Sequence, residues 1–126
     1  MTLTHDHALT HRIIGLAMRV HTRLGPGLLE TAYERCLCYE FQREGLPFRR
    51  QVDLPLTYDD LHLDRAYRAD LIISDTVLLE VKSVATLLPL HEAQLLTYLR
   101  MSRCAVALLV NFNVLSLKDG LRRRTR

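Results

Sequence analysis

Apolar residues recur at helical spacing from about residue 8 to 24, where Ile13, Ile14, Ala17, Val20 and Leu24 form one stripe. Gly25-Pro26-Gly27 ends that helix and is expected to open a second, with Pro26 in its first turn. The second helix runs to about Glu44 and turns Leu29, Ala32, Tyr33, Cys36, Leu37 and Phe41 inward, with Gly45 as its terminator. The period then changes to two. Val52, Leu54 and Leu56 alternate with Gln51, Asp53 and Pro55, a strand that Pro55 places at a sheet edge. After the turn Tyr58-Asp59-Asp60, a second strand covers Leu61 to Ile73, with a bulge expected near Asp64-Arg65. Ser74-Asp75-Thr76 turns the chain into a third strand, Val77–Val81. Pro89 opens a helix to about Ser102, and Cys104–Asn111 is an apolar strand suited to the middle of a sheet. A short strand near Leu115–Leu117 is expected to finish the chain. The order α-α-β-β-β-α-β predicts a mixed sheet with helices on its faces.

Composition changes this picture little. The 126 residues suit one domain, 1–126, and 48% hydrophobic with 25% charged residues is ordinary for a globular chain. No apolar run approaches the ~20 residues of a membrane span. Met1–His7 lacks the basic and apolar regions of a signal peptide, so a cytoplasmic location is expected. Cys36, Cys38 and Cys104 have no zinc-ligand spacing and read as buried thiols. His5, His7 and His11 read as a flexible polar terminus. The net charge of +3, carried by Arg49-Arg50 and by Arg122-Arg123-Arg124 with Arg126, suits either a solvated end or contact with phosphates.

The informative residues are charged ones inside apolar strands. Asp70 precedes Leu71-Ile72-Ile73, and Glu80 and Lys82 flank Val81. A carboxylate among Leu, Ile and Val is costly unless something pairs with it. Glu80 and Lys82 share a face by alternation. A three-residue turn, Ser74–Thr76, sets Ile73 opposite Val77 and brings Asp70 opposite Glu80, whereas a two-residue turn would send Asp70 to the other face. The three-residue turn is the expected one. Two carboxylates so placed repel, and a divalent cation held by Asp70, Glu80, the Val81 carbonyl and waters is the natural remedy; such oxygen donors suit Mg²⁺ or Mn²⁺. On the following helix Gln94 and Tyr98 are i and i+4 neighbours, with His91 one turn earlier. On the second helix Glu30 is expected one turn in, at the border of the apolar arc, and Glu40 lies on that arc with no evident role.

Gly27-Leu-Leu-Glu30-Thr-Ala-Tyr33 resembles the signature of the GxxExxY family, assigned to the PD-(D/E)XK nuclease superfamily. The resemblance continues through Tyr67-Arg-Ala-Asp70-Leu, Glu80-Val-Lys82, His91-Glu-Ala-Gln94-Leu-Leu-Thr-Tyr98-Leu99 and Asn111-Phe112. Gln94-Leu-Leu-Thr-Tyr98 is also similar to a motif of RecB-like nucleases. The resemblance implies an α/β fold with an αβββαβ core. It implies that Asp70 and Glu80 ligate Mg²⁺ or Mn²⁺ and that Glu30 completes the site. Lys82 would hold or deprotonate the attacking water, while Gln94 and Tyr98 would orient Lys82 and the phosphate. Two positions depart from the pattern: Ala69 replaces the superfamily's proline, and Asn113 stands where glycine is common. The expected activity is hydrolysis of nucleic-acid phosphodiesters, DNA ahead of RNA. The rival is a silent module on the same fold that binds nucleic acid or protein. With little chain beyond the core, specificity would come from a homodimer or a partner protein.

Overall fold

The computed structural model describes residues 5–126, excluding the side chain of His5. Helices α1 (His5–Leu24) and α2 (Glu30–Arg43) precede strands β1 (Phe48–Tyr58), β2 (Leu61–Ile73) and β3 (Val77–Lys82). Helix α3 (Pro89–Met101), strand β4 (Val106–Asn111), one 3-10 turn (Leu117–Gly120) and strand β5 (Leu121–Thr125) complete the chain. The strands form one sheet in the order β1-β2-β3-β4-β5. All neighbours are antiparallel except β3 and β4, the parallel pair joined through α3. The run from α2 to β4 is the expected αβββαβ core.

Each face of the sheet has its own helices because β3 and β4 are apolar on both sides. Leu79, Val81, Leu108 and Val110 pack under α1 and α2 with Ile13, Tyr33, Leu37 and Phe41. Leu78, Ala107 and Leu109 pack under α3 with Leu95 and Leu99. No described helix is long and apolar enough to cross a membrane.

Several boundaries differ from those expected of the sequence. Helix α1 begins already at His5, so the terminal histidines are helical. Helix α2 begins at Glu30, not at Pro26, because Gly25 and Gly27 adopt positive φ and keep the intervening segment in a loop. Glu30 therefore starts the helix, and Leu29 and Leu24 are exposed. Strand β1 is the edge strand that Pro55 requires, and the β1–β2 register shifts between Leu54 and Leu56 as the bulge near Asp64-Arg65 demands.

The C-terminal segment departs furthest. No strand forms at residues 115–117; the basic residues 121–125 pair with β4 as the second edge strand. The ion pairs of Arg122 and Arg124 with Glu92 of α3 hold this edge to the helix. Arg126 donates to the carbonyls of Leu99, Ser102 and Cys104, serving the end of α3. Gly120 permits the closure onto β4, since a Cβ there would lie 2.2 Å from the Asn111 carbonyl oxygen.

The two buried carboxylates of α2, Glu34 and Glu40, have structural roles. Glu40, buried, faces Arg19 and Arg43 at 3.6 Å each. Glu34, also buried, accepts from Arg50 at 2.6 Å and Gln51 at 2.8 Å, a pairing that the helical pattern does not suggest. Cys36, Cys38 and Cys104 are free thiols, the latter two buried.

Candidate active site where β2 and β3 part

The three-residue turn sets the register: Ile73 pairs with Val77, Ile72 with Leu78 and Leu71 with Leu79. Asp70 and Glu80 come next, and there the backbone ladder stops. The Asp70 N–H donates to Glu80 Oε1 at 3.2 Å, and the Val81 N–H donates to Asp70 Oδ2 at 2.8 Å. Side-chain oxygens thus stand where strand carbonyls would otherwise accept.

The cause is a local break in β2. Its pairing with β1 passes from Arg50–Leu71 to Val52–Ala69, stepping over Gln51 and Asp70, and Gln51 has φ 53°. Ala69 and Ile72 both pack under α3 although they are an odd number of residues apart, so the alternation of faces breaks between them. The Asp70 amide is released from β1 and turns to β3.

Glu80 follows Leu78 onto the α3 side and is buried. Burial, then the Asp70 carboxylate beside it, pushes its pKa up to about 9. Lys82 acts in the opposite sense on Glu80. The orientation of Val81 follows from its neighbours: the Lys82 carbonyl accepts from Phe112 on the β4 side. Successive carbonyls of a strand leave from opposite edges. The Val81 carbonyl therefore faces the β2 side, the edge from which its N–H reaches Asp70.

Tyr98 comes down from α3 to the same carboxylates. Its pKa is raised by burial first and then by Glu80 and Asp70, and its ring lies 5.5 Å from that of Tyr67. Gln94 is exposed one turn earlier and makes no hydrogen bond among the described residues. His91 caps its own helix, its Nδ1 accepting from the Leu88 N–H at 3.0 Å just before Pro89.

Glu30 reaches the end of β3 from the opposite helical layer. Its carboxylate accepts from the Ser83 N–H at 3.3 Å, and the Ser83 hydroxyl donates to the Leu28 carbonyl at 2.6 Å. Glu30 thus lies beside the residue after Lys82. Among the described residues no three His, Cys, Asp or Glu side chains form a metal-holding group, so the acidic pair is Asp70 with Glu80.

Three further residues support the site; the matched motifs contain all three but gave them no role. The Tyr33 hydroxyl donates to the Gly25 carbonyl at 2.6 Å and accepts from the Leu28 N–H at 3.1 Å, holding the loop that carries Glu30. Buried Asn111 accepts from Val84 N–H at 3.0 Å and donates to Val84 C=O at 2.9 Å, anchoring the segment after Lys82. Tyr67 adjoins Tyr98. Their sequence signal is membership of the matched motifs, and what each one holds is visible only in the fold.

A mixed sheet between helical layers, with two acids and a lysine where its strands part, defines a nuclease-like α/β fold. The family model of the PD-(D/E)XK nuclease superfamily matches residues 7–124, and the chain belongs to that superfamily. Comparison with curated proteins and with solved structures returned no match.

Proposed function

We propose that this chain is a single nuclease domain, of the GxxExxY type, that hydrolyses nucleic-acid phosphodiesters with Mg²⁺ or Mn²⁺. One observation carries the reading: a buried glutamate is set against an aspartate with no cation of the protein bonded to either carboxylate. The two carboxylates accept strand amides, but that role does not require two acids side by side, and their proximity raises the Glu80 pKa. Superfamily membership suggests nuclease activity, and PD-(D/E)XK nucleases generally use divalent metals.

The donor set fits such an ion. Asp70 and Glu80 offer hard carboxylate oxygens, and the Val81 carbonyl faces the same edge, the ligand chemistry of Mg²⁺ or Mn²⁺. When bound, the ion would polarise the phosphoryl oxygen and lower the pKa of bound water. Lys82, on the same face as Glu80, would hold or deprotonate the attacking water. Glu30, at the end of β3, would complete the acidic rim and orient that water from the other side. The Tyr98 hydroxyl and the Gln94 amide N–H would donate to the phosphate, and their oxygens would accept from the Lys82 ammonium. DNA is proposed ahead of RNA. A homodimer or partner protein would supply specificity, and the location is proposed as cytoplasmic.

The test is a cleavage screen on end-labelled DNA and RNA, single and double stranded, with Mg²⁺, Mn²⁺ or EDTA. The wild type is expected to cut only with a divalent ion. Asp70→Asn, Glu80→Gln and Lys82→Ala are each expected to lose roughly a hundredfold or more in rate with the fold intact. Equal cutting by Lys82→Ala, or cutting in EDTA, overturns the assignment.

A further inference from the structure

We infer that the strand cut at this site is single stranded where it enters, with one base lying against the ring of Tyr67. The inference rests on the phosphodiesterase reading and adds the substrate class.

Tyr67 lies on β2 three residues before Asp70, and its ring meets Tyr98 at 5.5 Å and 51°. Tyr98 stands within the field of Glu80 and Asp70, so the aromatic pair adjoins the two carboxylates. Tyr67 is 39% exposed, an outward aromatic with Tyr98 behind it. Neither hydroxyl bonds to another described residue, so no role within the fold accounts for Tyr67.

The charges nearby disfavour a duplex. Duplex recognition rests on rows of Lys and Arg contacts to phosphates. Arg65 and Arg68 both face Asp53, at 3.5 and 3.3 Å, and Asp53 and Arg68 lie on the face opposite Leu54, Tyr67 and Ala69, so neither arginine is free beside the ring. Arg122 and Arg124 are turned to Glu92. Between Asp53 and Arg68 the β1–β2 hairpin carries Asp53, Asp59, Asp60 and Asp64 against those two arginines. It would repel a second phosphate row. An aromatic face needs no cation, because every base has a π-face to stack.

The experiment is anisotropy of a labelled single-stranded 12-nucleotide DNA in EDTA, where no turnover occurs, with one abasic position walked along it. In the wild type, one abasic position is expected to weaken binding about 5- to 100-fold. Tyr67→Ala is expected to bind the intact strand that much more weakly and to become indifferent to the abasic position. Tyr67→Phe is expected to retain both affinity and base dependence. The matching duplex is expected to bind more weakly than the single strand. An abasic walk without effect in the wild type overturns the inference, and needs no variant to fold. It is also overturned by base dependence that survives in Tyr67→Ala, by Tyr67→Phe behaving as Tyr67→Ala, by no detectable single-strand binding, or by a duplex bound as tightly. The cleavage screen with Mn²⁺ judges the phosphodiesterase reading separately, since base dependence in EDTA does not require hydrolysis.

Discussion

The side-chain amide of Asn111 pairs with both backbone groups of Val84, accepting from its N–H at 3.0 Å and donating to its carbonyl at 2.9 Å. Asn111 ends β4 opposite Lys82, so this clamp fixes where the chain goes after the candidate lysine. Asn111→Leu fills similar space but takes the acceptor from the Val84 N–H and leaves its carbonyl only the 3.4 Å bond from Asn113 Nδ2. The expected cost is about 1–2 kcal/mol, chiefly from the Val84 N–H, which is half-buried and loses its acceptor. Urea denaturation measures it; a change within experimental error would mean that Val84 finds other partners.

Glu80 makes the metal-free protein less stable as pH rises. Its folded pKa of about 9 lies above the ordinary 4.5, so the folded chain holds a proton that the unfolded chain releases. That contribution is complete below about 4.5 and is lost as pH climbs through the folded value. Glu80→Gln stays neutral and should flatten the slope. Urea midpoints in EDTA at about pH 5, 7 and 8.5 are the check. Parallel profiles for wild type and Glu80→Gln would refute the linkage. By the same logic, Mn²⁺ held by an ionised Glu80 should release a proton near neutrality, visible as buffer-dependent heat in calorimetry.

Tyr33 is stacked on Phe112 at 4.4 Å and 8°, with its hydroxyl tied to the loop before Glu30. Tyr33→Phe keeps the stack and removes the ties, for about 1–2 kcal/mol. Cleavage should fall while circular dichroism stays unchanged. Because the loss acts through Glu30, adding Tyr33→Phe to Glu30→Gln should cost little more. Additive losses would make Tyr33 purely structural.

Removal of either partner of the Glu34–Arg50 pair should have unequal effects. The side chain of Glu34 is 5% exposed and that of Arg50 38%. Arg50→Met leaves a buried carboxylate with Gln51 alone, for about 2–3 kcal/mol, below the usual figure for a broken buried pair because one partner was half solvated. Glu34→Leu frees an arginine that water can reach and should cost less. Thermal melts that rank the two the other way would refute this account.

The hairpin that sets the site was legible because the apolar stretches Leu71-Ile72-Ile73 and Val77–Val81 flank Ser74-Asp75-Thr76, a strong turn. From that turn length alone, Asp70 could be counted into line with Glu80. The ladder's early end was not legible, since the break at Gln51 and Asp70 is a matter of φ and of which edge an amide faces. Glu30 illustrates the same divide: its helix was visible, but its contact with Ser83 spans 53 residues of sequence. Strand β5 was missed because Leu121-Arg-Arg-Arg-Thr looks solvated; at an edge, arginines are tolerated when the backbone pairs and a carboxylate such as Glu92 lies within reach.

Local periodicity, turn chemistry and the cost of a carboxylate among leucines are properties of short stretches of chain, so the sequence by itself determined the elements from α1 to β4, their order and the acidic pair with its lysine. Which groups face Glu80, what Tyr33 and Asn111 hold, and that Tyr67 packs a partly exposed ring on Tyr98 were decided only by the tertiary structure. The physical reason is that desolvation and hydrogen-bond satisfaction depend on neighbours brought from distant positions, which no local pattern encodes.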